Sequence, residues 1–273
     1  MENKNDILSE TQNVLTIINR DEYPETAEYL GLLLKETAAE ESEPYEIANT
    51  ILQMDIPKRF PDYVINLITE LYELDIADGN ADAMNDLGAQ YYDGSRGFEQ
   101  SFEKAVHFYK MAAEKGNRQA QENLGYCYYY GREGKPDYEK AFHYFALGAF
   151  DGHLISLYKI GDMYLNGLYV PKNEKEAFYI FVRCIETMTE EAEGRVAGPV
   201  YLRLGRMFLE GIGVSQNLKN ALVCYQKAES YLYDMVLSGD VMYRKSLEGA
   251  IAGQKKAREL LAAKLPADTW TFE

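Results

Sequence analysis

The stretch Leu204–Ala228, LGRMFLEGIGVSQNLKNALVCYQKA, decides the fold. An apolar–Gly pair (Leu204, Gly205) is followed by an aromatic (Phe208) and a second glycine (Gly211), and then by the turn formers IGVSQN. A helical segment resumes with Ala221 and Tyr225, four residues apart. Spacings of three and four put the marked residues on one face of a helix, so the segment reads as two helices joined by a loop.

Working outward, the same pattern recurs three times upstream. Ala83, Leu87, Gly88, Tyr91 and Gly94 form the first set, and Ala120, Leu124, Gly125, Tyr128 and Gly131 the second. Ser156, Ile160, Gly161, Tyr164 and Gly167 form the third, and Val200 opens the fourth. Ten or eleven residues after each closing glycine comes an alanine (Ala105, Ala141, Ala177, Ala221). Four residues later comes an aromatic (Tyr109, Phe145, Phe181, Tyr225). Start-to-start spacings are 37, 36 and 44 residues. Self-similarity at this period marks a stacked array of helical hairpins, in which neighbours complete one another's cores.

Within a unit, helix A carries the small, apolar and aromatic marks and ends at a left-handed C-cap glycine. Asp137, Asn173 and Asn217, with Ser101 in the first unit, fall at the N-cap of helix B. Gly116 and Gly152 read as terminators of helix B. A mid-helix glycine costs roughly 1 kcal/mol against alanine, so four in register need a packing reason. The expected reason is close approach of helix B, with its marked alanine as the matching small residue.

These residues resemble the Sel-1-like repeat, a relative of the tetratricopeptide repeat with a longer inter-helix loop; the fourth unit is the closest to that pattern and the first two carry altered loops. The resemblance implies an all-α fold, a right-handed α/α superhelical solenoid of helix-turn-helix repeats, and a role as an adaptor in assemblies and signalling. Some secreted members are described as penicillin-binding or β-lactamase-like. They carry a disulfide per repeat, and this chain lacks those cysteines, so that activity is not carried over.

Around the array, residues 1–60 read as an acidic helical N-terminal cap of three helices. A half unit follows over 61–79, because Tyr72 and Gly79 lie 37 residues before Tyr109 and Gly116. Units span about 81–117, 118–153, 154–198 and 199–232, making a solenoid over 61–232. Between the last two, TEEAEGRVAGP (189–199) reads as a helix extension and a turn. Residues 233–273 read as an amphipathic basic capping helix and a tail, with a membrane-surface or partner helix as the alternative.

The 273 residues are 47% hydrophobic and 26% charged, the composition of a soluble globular protein. No run of about 18 apolar residues suggests a membrane span, and MENKNDILSE lacks the basic and apolar regions of a secretory signal. The expected compartment is the cytoplasm. The formal net charge is −16, which opposes binding to nucleic-acid phosphate or anionic lipid and favours a basic partner. Residues 1–50 hold three basic against twelve acidic side chains, and residues 240–264 hold six basic against three acidic.

No nucleotide-binding, zinc-protease or nucleophile-elbow motif occurs. Cys127, Cys184 and Cys224 form no close pair and read as buried structural thiols. His107 and His143 occupy the same place in successive helix B segments, one packed-helix spacing apart. That is too far to share one zinc, so no metal and no cofactor is expected. His153 reads as a cap or surface residue.

What remains is a surface. Helix A positions unused by the seam should line a concave face: Asn85, Ala89, Tyr92, Asp93; Glu122, Tyr126, Tyr129, Tyr130; Tyr158, Asp162, Leu165, Asn166; and Leu202, Arg206, Leu209, Glu210. Asn85, Tyr92, Glu122, Tyr126, Tyr129, Tyr130, Tyr158, Asp162 and Arg206 are the candidate partner-binding residues. They suit a basic or aromatic peptide or protein, because tyrosine supplies contact area with a polar tip at small entropic cost. The competing reading packs the same tyrosines between adjacent A helices. The functions weighed are a non-catalytic scaffold, an immunity protein masking a basic effector, and, remotely, a hydrolase by analogy with secreted relatives.

Overall fold

A computed structural model of the chain describes residues 44–53, 59–60 and 62–264. The described residues hold eleven α-helices and no strand. They divide into two compact units meeting at Asp137 and Tyr138. The first and second helices expected in the N-terminal cap, and the C-terminal tail from residue 265, lie outside the described residues.

The first unit contains α1 (Pro44–Gln53), α2 (Asp62–Ala77), α3 (Ala81–Asp93), α4 (Phe102–Glu114) and α5 (Arg118–Tyr130). α1 packs on α2, α3 on α4, and α4 on α5. Ile47, Ile51, Val64, Ile68, Leu71, Tyr72, Ala83 and Leu87 make its core, and Tyr72 donates to Asn49 Oδ1 at 2.6 Å. Gly79 (φ 90°) and Gly116 (φ 87°) end α2 and α4 in the same left-handed turn. The asparagine that follows each, Asn80 or Asn117, caps the next helix by accepting from Ala83 N or Ala120 N. Sequence reading missed these two caps.

The second unit contains α6 (Tyr138–Phe150), α7 (Leu154–Asn166), α8 (Glu174–Glu186), α9 (Glu190–Glu210), α10 (Leu218–Leu237) and α11 (Arg244–Ala262). A single 3-10 turn, Val241–Tyr243, precedes α11. α7 packs on α6 and α8, α9 on α10, and α11 on α9 and α10.

The loop between helix A and helix B closes identically in all four repeats. The N–H of the residue before helix B donates to the carbonyl of the repeat aromatic: Ser101 to Tyr91 at 2.8 Å, and Asp137 to Tyr128, Asn173 to Tyr164 and Asn217 to Phe208 at 2.9 Å each. Side chains of Ser101, Asn173 and Asn217 then cap helix B as expected. Gly94, Gly131, Gly167 and Gly211 close helix A at φ 61–72°.

Gly88, Gly161 and Gly205 have the packing reason sought, but the partner differs. A Cβ on Gly88 would stand 2.9 Å from the Tyr109 ring, on Gly161 2.7 Å from Phe181, and on Gly205 2.9 Å from Tyr225. The aromatic of helix B, rather than its alanine, lies flat on the bare glycine backbone. The alanine is buried one turn earlier and lets the backbones approach: Ala105 O would be 3.2 Å from that Gly88 Cβ.

Residues 190–199 form no turn. They begin α9, which runs on through Pro199 for 21 residues. Proline has no N–H to donate, so one helical bond is forgone there. Packing offsets this loss: Val196, Ala197 and Val200 are buried, and Gly198 rests on Leu232 of the correspondingly lengthened α10. α11 buries Ala250, Gly253, Gln254 and Ala257 in the second unit.

Candidate functional site

The candidate residues of the first unit lie on α3 and α5. Asn85 and Glu122 are buried. Asn85 Oδ1 accepts from Asn123 Nδ2 of α5 at 3.0 Å, and Asn117 Nδ2 donates to Asp82 Oδ1 at 2.7 Å, so a polar seam joins the two A helices. Those positions therefore serve packing. The tyrosines behave differently. Tyr126 and Tyr130, one turn apart, stack at 6.2 Å with planes 10° apart, and Tyr129 meets Tyr130 edge-on at 5.0 Å. Tyr130 is 49% exposed. Three rings thus form a shelf at the end of α5 where the chain enters its loop.

Arg132, two residues beyond, locks this shelf to α3 and α4. Its guanidinium lies 4.5 Å from the Phe102 ring centre, 5.3 Å from Tyr92 and 5.6 Å from Tyr130, within cation–π range. Its Nε donates to Tyr92 Oη at 3.0 Å. Burial raises the Tyr92 hydroxyl pKa, and the Arg132 hydrogen bond opposes that rise. Asp93, the last residue of α3, has its carboxyl raised by burial.

In the second unit Tyr158 and Asp162 are buried and Arg206 is exposed. Asp162 accepts a fork from Arg203 of α9: Nη2 reaches Oδ2 at 2.6 Å, and Nε pairs with Oδ1. Arg203 Nη1 also donates to Pro199 O at 2.8 Å, and the guanidinium covers the Tyr158 ring at 5.1 Å. Asp162 and Tyr158 are thus consumed in joining α7 to α9. Arg206 makes a surface pair with Glu210 at 3.3 Å.

Of the nine candidates, Tyr92, Tyr126, Tyr129 and Tyr130 come together, and Arg206 stands on a separate exposed face. Asn85, Glu122, Tyr158 and Asp162 are buried. Arg132 and Arg203 were missed. Arg203 had a signal: the third residue after each unit start is polar in all four (Asp86, Asn123, Lys159, Arg203). At Asn123 and Arg203 that polar column bonds across the A–A seam. Arg132 had none, because its loop position has no helical period.

The chemistry available elsewhere is limited. Burial pushes the thiols of Cys127 and Cys184 up to about 12 and that of Cys224 to about 11, so each stays protonated and unreactive near neutrality. His107 and His143 are exposed, and His153 stands at the N-cap of α7 without a side-chain cap bond. Among the described residues no group of three His, Cys, Asp or Glu side chains is placed to hold a metal, and no helix is long and apolar enough to cross a membrane.

The model of the Sel1 repeat family matches residues 81–117, 118–153, 154–183 and 199–230. The chain is a Sel1 repeat protein. Such proteins commonly mediate protein–protein interaction. Among solved structures, this Sel1 repeat protein is similar to a Sel1 repeat protein from Oxalobacter formigenes, at 20% identity and TM-score 0.59, over 75% of this chain and 80% of that one. It is also similar to a protective antigen of uropathogenic Escherichia coli with the same fold, at 19% identity and TM-score 0.58, over 93% of this chain. The chain spans about half (53%) of that antigen's length. A weaker likeness, TM-score 0.42 and 18% identity, is to an immunity protein from Pseudomonas aeruginosa, over 78% of this chain and 80% of that one. No curated protein matches the chain.

Proposed function

We propose that this chain is a non-catalytic scaffold that docks a peptide or protein on the tyrosine shelf of its first unit. The observation that carries the reading is the ring cluster Tyr126, Tyr129 and Tyr130 at the loop end of α5, with Tyr130 half-exposed and contacted by Arg132. Aromatic rings already ordered by their neighbours lose little entropy on binding and present large area, the composition of interface hot spots. The net charge of −16 favours a partner that is basic overall and accelerates its approach at low salt. The inert thiols support a binding role over nucleophilic catalysis.

The test is a partner isolated from the native cell and then titrated against purified protein. Tyr126→Ala with Tyr129→Ala is expected to weaken binding by about 2 kcal/mol or more, some thirtyfold in Kd. Unchanged affinity in that double variant, with the fold intact by circular dichroism, rejects the shelf as the site.

A further inference from the structure

Arg132 stands apart from the other arginines near it. Its guanidinium is half-buried, backed by Phe102, flanked by Tyr92 and Tyr130, and tied through Nε to Tyr92 Oη. Among the described residues no carboxylate lies within ion-pair distance of it. The adjacent Glu133 is engaged with Lys110, whose Nζ reaches both of its oxygens at 3.1 and 3.2 Å. The two terminal nitrogens therefore have no partner among the described residues, in a chain with an excess of sixteen negative charges. A stacked guanidinium has already given up most of its rotamer freedom, and its planar fork matches a carboxylate with two parallel hydrogen bonds.

We propose that Arg132 is a receptor for one carboxylate of the docked partner, read at the edge of the tyrosine shelf. This rests on the docking role proposed above for that shelf. It also refines the expectation of a basic partner: the long-range field selects overall charge, whereas one fixed guanidinium selects one anionic group at contact. A partner that is basic overall still carries a carboxylate at its C-terminus or on a single acidic side chain. The neighbouring Tyr130 ring, offset from the guanidinium, favours a carboxylate borne next to an apolar or aromatic group.

The probes are N-acetylphenylalanine, which presents a terminal carboxylate beside a ring, and N-acetylglutamate α-amide, which presents a side-chain carboxylate. Their uncharged amides are the controls. Binding to the whole chain is read by NMR from the Arg132 Nε–H and Gly131 amide resonances. Saturable shifts are expected with the acids, and binding weaker by about tenfold or more with the amides and with Arg132→Gln. Arg132→Lys keeps the charge without the fork and guards against a folding artefact; it is expected between wild type and Arg132→Gln. The stronger acid identifies the carboxylate source. Equal binding of acid and amide, or wild-type binding by Arg132→Gln, overturns the proposal. Carboxylate selectivity that persists while the tyrosine double variant still binds the native partner overturns the shelf and leaves the receptor standing.

Discussion

The ring of Tyr225 sits between two bare glycine backbones, and substitution there gives the sharpest test of how this fold is packed. On one side is Gly205 of α9, whose added Cβ would meet Cδ1 at 2.9 Å and Cε1 and Cγ at 3.0 Å. On the other is Gly253 of α11, whose Cβ would meet Cε1 and Cζ at 2.4 Å and Cε2 at 2.7 Å. The ring cannot retreat from one without striking the other. Gly249, one turn earlier on α11, is the internal control: its Cβ would meet only Leu202 Cδ1, at 3.9 Å. Both substitutions to alanine gain roughly 1 kcal/mol of helix propensity. At Gly249 nothing opposes that gain. At Gly253 overpacking costs about 3 kcal/mol, the upper end of its usual range, because the contact is backed on the far side. The expected outcome is stabilisation by up to about 1 kcal/mol for Gly249→Ala and destabilisation by about 2 kcal/mol for Gly253→Ala. Urea unfolding followed by circular dichroism reads the difference as midpoints moving in opposite directions. Tyr225→Leu should remove most of the Gly253→Ala penalty in a double-mutant cycle. If Gly253→Ala stabilises the protein as Gly249→Ala does, the trapped-ring account is refuted.

Three further outcomes follow from the same geometry. Asp162→Ala leaves Arg203 largely buried without its carboxylate and should cost about 3 kcal/mol, against less than about 1 for Arg206→Ala at the exposed Glu210 pair, both read by urea unfolding; equal costs would show that the inner fork contributes nothing special. Asp93 has its carboxyl pKa raised by burial, and its charge sits at the unfavourable C-terminal end of α3. The folded state therefore holds that proton more tightly than the unfolded chain, and the charge destabilises above the carboxylate range. Asp93→Asn should raise the melting temperature at pH 7, with the gain fading as pH falls through the raised value. With thiol pKa values near 11 and 12, about one thiol in a thousand or fewer is ionised at pH 8. Cys127, Cys184 and Cys224 should therefore react with a disulfide reagent only as fast as the protein opens, and a rapid burst in native buffer would contradict their burial.

Much of the fold was legible because its determinants are local and repeated. Each closing glycine lies in the left-handed region where a side chain is strained, Ser101, Asn173 and Asn217 each cap their own helix, and repetition makes both visible without any contact map. The polar column Asp86, Asn123, Lys159, Arg203 was equally present in the sequence but went unread, since among the other polar residues of each helix it looks like part of a solvated face. The surface assignment suffered for the same reason. Asn85 and Tyr158 were placed on an open groove by helical period alone, yet period fixes only an angle around the helix axis and not which neighbour occupies that side.

Sequence alone therefore determined the repeat, the two-helix unit, the loop between the two helices of each unit and the small residues at each seam, because these depend on backbone conformation and on side-chain volume at fixed spacing. Tertiary structure alone decided which ring lies on which glycine, that Arg203 answers Asp162, and that three rings hold Arg132. Those pairings join residues up to about forty positions apart. They depend on the rotation between successive hairpins, which is set by the sum of many weak packing contacts and is written at no single position.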